Sequence, residues 1–131
     1  MSGINVIEDG SLRATATGFE VGLRYKWYRS LQLSCLENLR LTLDGQPVEP
    51  EKVRFAINGH SYRLEELASK VEETWFILDS AVVSVDQPGV VKPGETHQVD
   101  AVFGMRIPYI GIGPNVYLTI TNKQSATQVA A

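Results

Sequence analysis

The chain has 131 residues, 44% hydrophobic and 21% charged, which fits a single domain with its own core rather than a disordered segment. Its 12 basic and 15 acidic residues give a formal net charge of -3, without the basic excess of a general nucleic-acid binder. One cysteine, Cys35, excludes an intramolecular disulfide, and no apolar run approaches the ~20 residues of a membrane-spanning helix.

The opening segment, MSGINVIEDG, shows no basic region followed by an apolar run, so a cytoplasmic protein is expected. From Phe19 the dominant period is two. Phe19, Val21, Leu23, Tyr25 and Trp27 fall on one face, and Glu20, Gly22, Arg24, Lys26 and Tyr28 on the other. This reads as one half-buried strand with Trp27 on its core side. Leu31, Leu33 and Cys35, then Leu39, Leu41 and Leu43, continue the alternation up to the turn pair Asp44-Gly45. Val53, Phe55 and Ile57 form the next strand and Asn58-Gly59 the next turn.

RLEELASK places Leu64, Leu67, Ala68 and Val71 at helical spacing, the one short helix the pattern supports. TWFILDSAVVSV is apolar on both sides, as a central strand would be. QPGVVKPGET then supplies two Pro-Gly turns. Val99, Ala101, Phe103, Met105 and Ile107 alternate cleanly, as do Val116, Leu118 and Ile120. Short strands separated by turns predict an all-β protein: an antiparallel, jelly-roll-like β-sandwich with one short helix. A single domain over residues 1–122 is expected, followed by a loose tail over 123–131, where QSATQVAA offers no turn or cap.

The catalytic inventory is thin. A zinc-type site draws together about three or four ligands, and only His60, in a turn, and His97, at a strand start, are available as neutral nitrogen ligands. Both read as surface or turn residues. Cys35 reads as a small buried hydrophobe. Glu65-Glu66 and Glu72-Glu73 read as solvated charge, since neighbours on a helix point in different directions. GIGPN at 111–115 lacks a phosphate-cradle pattern. No catalytic residue and no metal ligand is therefore assigned to this chain.

Two stretches remain. In LRYKWYRS, Arg24, Lys26 and Tyr28 lie off the core face, and Arg29 follows them. In GMRIPYIGIGP, Arg106, Tyr109, Ile110 and Ile112 sit among glycines and prolines. Tyr and Arg are enriched at interface hot spots, because each buries much area and carries a polar handle. These eight residues are the candidate partner interface; the plain alternative is a solvated strand face.

The order of these features resembles the small β subunit of bacterial C-glycoside deglycosidases. The resemblance rests on Arg24, Tyr28-Arg29-Ser30, Leu33-Ser34 and Leu43-Asp44-Gly45. It continues through YRLEEL, Trp75, QPGVVKPGETHQVDAVFGMRIPYI and the step from Arg106 to Tyr109, covering about residues 17–122. It implies a β-sandwich that binds a larger α subunit resembling sugar-phosphate isomerases, a TIM barrel holding manganese or magnesium and a catalytic base. It implies a substrate that is a C-glycoside oxidised at the sugar 3-position, with an aromatic aglycone such as a flavonoid. Proton abstraction and β-elimination would break the carbon–carbon bond, and this chain alone would be inactive. A stand-alone sugar-binding or adaptor sandwich is the competing reading, and an independent metal hydrolase a remoter one.

Overall fold

The computed structural model describes residues 5–131. Among the described residues eleven strands form, in chain order: β1 (Arg13–Ala14), β2 (Phe19–Leu23), β3 (Leu31–Gln32), β4 (Leu36–Leu43), β5 (Gln46–Pro47), β6 (Val53–Ile57), β7 (His60–Arg63), β8 (Thr74–Trp75), β9 (Ala81–Val85), β10 (Thr96–Gly113) and β11 (Val116–Val129). They make a five-stranded sheet ordered β1-β2-β9-β6-β7, a four-stranded sheet ordered β11-β10-β4-β5, and a small β3-β8 pair. Every pairing is antiparallel. The antiparallel sandwich expected from the sequence is the fold.

The alternating residues meet between the two larger sheets. Phe19, Val21, Val53, Phe55, Val83 and Val85 from one sheet join Leu39, Leu41, Val99, Ala101, Phe103 and Met105 from the other in one buried cluster. Trp75 lies at its centre, with Tyr25, Phe55 and Phe103 around it at ring distances of 4.6, 5.2 and 5.9 Å. Both turn pairs behave as read. Asp44 and Gly45 have φ of 50° and 82°, Asn58 and Gly59 of 53° and 80°. Two successive left-handed residues match the right-handed twist of a tight hairpin.

Four expectations need correction. The strand from Phe19 ends at Leu23. Residues 24–30 form a loop, so their alternation does not divide them between two sheet faces. The run TWFILDSAVVSV is not one central strand: Asp79 N donates to Phe76 O at 2.9 Å and closes a turn between β8 and β9. The short helix is a 3-10 segment over Leu64–Ser69 that buries only Leu67, and Val71 is exposed. A 3-10 turn repeats every ~3 residues, so a face spaced for an α-helix does not line up on it.

The tail is the fourth. Residues 123–129 continue β11 and pair with β10 back to Thr96. Their inward side chains hold the N-terminal segment. Gln124 Oε1 accepts from Ile7 N at 2.8 Å, and Gln128 Oε1 from Leu12 N at 2.9 Å, while Gln128 Nε2 donates to Glu8 O at 2.9 Å. Ala131 and Leu12 add a main-chain bond at 3.0 Å. The buried side of this strand is amide and alanine, which carries no hydrophobic signal.

Candidate functional site: an aromatic end of the sandwich

Loop 24–30 is pinned from inside. Tyr25 is fully buried, and its hydroxyl donates to Trp75 O at 2.5 Å and accepts from Leu31 N at 2.9 Å. Burial pushes its pKa up to about 12. Lys26 N donates to Asn122 Oδ1 at 2.7 Å, and Ser30 Oγ accepts from Ile77 N at 2.9 Å. These bonds fasten the loop to β11 and to the turn at 76–79.

With the backbone held, Lys26, Tyr28 and Arg29 are exposed. Tyr28 is 84% exposed and meets the Trp27 ring edge-on at 5.2 Å. Trp27 is half-buried rather than in the core, and its Nε1 donates to Tyr109 Oη at 2.6 Å. The Arg29 guanidinium lies over the Tyr109 ring at 5.4 Å, an attractive cation–π geometry. Phe76 and Leu78, 78% exposed, project from the neighbouring turn, and Ile112 is exposed near the β10–β11 tip.

Of the eight interface candidates, then, Tyr28, Arg29 and Tyr109 are brought together at this end. Lys26 is exposed on the same loop and Ile112 on the hairpin beyond Tyr109. Ile110 is half-buried against the core. Arg24 is half-buried, with a buried Nε that has no hydrogen-bond partner among the described residues. Arg106 is committed elsewhere: it donates to Glu37 at 2.9 Å and to Ser34 O at 3.2 Å. Sequence reasoning missed Phe76 and Leu78 because an unbroken apolar run hid the turn. The pair Asp79-Ser80 was the available signal.

Two polar clusters lie elsewhere. Glu73 accepts from Tyr62 Oη, His60 Nδ1 and Asn58 Nδ2. The Tyr62 bond foremost holds its pKa below the usual carboxylate range, making it a poor base. His97 is not a surface residue: it is buried, with Nδ1 2.5 Å from Asp44 Oδ2 and Nε2 3.2 Å from Glu95 Oε1. Its pKa is raised, chiefly by the Asp44 bond and against the effect of burial. Cys35 is buried as read, and burial raises its thiol pKa. Among the described residues no three His, Cys, Asp or Glu side chains converge on a metal-sized site.

Fold and site together define an all-β sandwich with an exposed aromatic end. Comparison with known proteins identifies the particular sandwich. The family model for the C-glycoside deglycosidase beta subunit matches residues 4–109. The chain is 37% identical over 107 residues to the 3'-dehydrocarminate deglycosidase beta subunit of a Microbacterium species, covering 82% of this chain and 80% of that one. It is 35% identical over 125 residues to a C-glycoside deglycosidase beta subunit of Microbacterium trichothecenolyticum, covering 95% and 94%. A C-glycoside deglycosidase beta subunit of Arthrobacter globiformis is 37% identical over 105 residues, covering 80% and 79%. The chain belongs to the C-glycoside deglycosidase beta-subunit family.

Proposed function

We propose that this chain is the accessory β subunit of a heteromeric carbon–carbon lyase acting on 3-oxo C-glycosides, and that its aromatic end docks the catalytic α subunit. The observation that carries the docking reading is the linked set of Tyr28, Arg29 and Tyr109, with exposed Phe76 and Leu78 on the turn bonded to the same loop, all on a backbone that core residues hold. Exposed aromatics on a fixed frame lose little entropy on binding and supply large contact area. Lys26 and Arg29 make the rim basic, so an acidic rim on the partner fits it.

In this reading the reacting groups belong to the partner, a TIM barrel with the base and a manganese or magnesium ion. The 3-oxo group acidifies the sugar C2 proton. The base removes that proton, the C1–aryl bond breaks, and a proton is delivered to the aryl carbon. One proton leaves C2 and one joins the aglycone, so the products are an unsaturated 3-keto sugar and the free arene, with no net oxidation. The β subunit supplies assembly rather than a proton-transfer group. A cytoplasmic location belongs to the same reading. Among the described residues no helix is long and apolar enough to cross a membrane.

The test is co-expression with a candidate isomerase-like α subunit, followed by assay with a 3-oxo C-glycoside and manganese. The complex is expected to release aglycone and the isolated chain to be silent. Turnover by the isolated chain equal to that of the complex would contradict the proposal.

A further inference from the structure

The sandwich protects its sheet edges unevenly. β1 and β5 are only two residues long, and β5 ends in Pro47. The part of β4 that β5 leaves open carries Glu37 and Arg40 and is interrupted by left-handed Asn38, where its register with β10 shifts. β7 ends in Arg63 and runs into the 3-10 turn. Short strands, charges, bulges and proline are the usual means of keeping an edge from pairing with another chain. β11 is the long exception. Its C-terminal part is covered by the N-terminal segment through Gln124, Gln128 and Ala131. At Asn122 the edge is closed by the 24–30 loop, whose Lys26 N donates to Asn122 Oδ1. The segment Val116–Thr121 is an outer strand with β10 on one side and, among the described residues, no strand on the other. Its sequence, VYLTIT, has neither charge nor proline, and half-buried Leu118 and Ile120 line its inner side.

We propose that this open edge pairs antiparallel with the same edge of a second copy, joining two four-stranded sheets into one across a two-fold axis. The sequence is compatible with itself in one register. With Thr119 opposite Thr119, Leu118 faces Ile120 and Tyr117 faces Thr121. Aromatic–β-branched and aliphatic pairs favour such a ladder, and no charged residue falls within it, so no like charges oppose. The contact also covers Leu118 and Ile120. A two-fold interface needs this self-complementarity, which an unrelated partner strand does not.

Sedimentation velocity of the full chain over a concentration series tests this directly. A concentration-dependent species of twice the chain mass is expected. Thr119→Lys and Thr119→Glu should each raise the dimer dissociation constant at least about tenfold by placing like charges opposite each other. Their equimolar mixture should recover the dimer, because Lys then faces Glu. Should either variant fold poorly, hydrogen exchange on the unaltered chain gives the same reading: amides within 116–121 should gain protection as concentration rises. A monomer at every concentration, a dimer indifferent to both substitutions, or a mixture that stays monomeric would overturn the proposal. So would loss of α-subunit binding in Thr119→Lys from a chain that is itself monomeric, since the edge would then belong to the partner.

Discussion

Tyr25 and Tyr28 stand three residues apart in one aromatic-basic stretch and have opposite fates. Tyr25 is fully buried, its hydroxyl spends both hydrogen-bonding roles on the backbone, and its ring meets Trp75. Tyr28 is almost fully exposed and touches only the edge of Trp27 among the aromatics. The first tyrosine fixes the loop that presents the second. A concentration of Arg, Lys, Tyr and Trp in a protein of net negative charge thus divides into an internal strut and an external surface.

Substitutions can break this division or sharpen it. The largest effect is expected from Trp75→Ala, which empties the centre of the aromatic cluster. Large core truncations of this kind cost ~3–5 kcal/mol, so denaturant or thermal melts should show a severely destabilised chain. Tyr25→Phe keeps the ring but orphans the buried Trp75 carbonyl and Leu31 amide. A loss of ~1–3 kcal/mol is expected by the same melts. Trp27→Phe removes only the bond to Tyr109 at a half-buried site, so about 1 kcal/mol or less should be lost. The clean alternation through Trp27 suggested a core residue whose loss would unfold the chain. A small effect would confirm its place at the rim.

The smallest effect is expected from pH, far from the aromatic end. Asp44, Glu95 and the main-chain amide of Lys92, which donates to Glu95 Oε1, face one another around His97. Because the folded pKa of His97 is raised, its contribution is fully present below the unfolded value of ~6.5 and is lost as pH rises through the folded value. The Asp44 pKa is lowered, so its contribution is present above its unfolded value and lost as pH falls through the folded one. Melting temperature should therefore decline on both flanks of the mildly acidic range. His97→Gln should flatten the alkaline flank.

Much of this fold was legible because hydrophobic alternation and turn chemistry are local. Val99 to Ile107 and the pairs Asp44-Gly45 and Asn58-Gly59 carry their structure on their face. The misread elements have non-local causes. Gln124 and Gln128 turn inward because the N-terminal segment needs acceptors, and nothing near them in sequence says so. Phe76 and Leu78 look like core until the turn at Asp79 swings them outward. At the aromatic end, Tyr28, Arg29 and Tyr109 could be picked out by residue type. The commitment of Arg106 to Glu37 depends on strand register across β4 and β10, which composition does not show.

The central claim is that the end bearing Tyr28 docks the catalytic partner. Calorimetric titration of the α subunit with the unaltered chain and with Tyr28→Ala tests it most directly. A hot-spot anchor is worth ≥ ~2 kcal/mol, so Tyr28→Ala should weaken binding at least ~30-fold. Its melting temperature alone should match the unaltered chain, because the side chain lies outside the core. Equal affinity for both chains would contradict the account and leave the aromatic end a solvated loop.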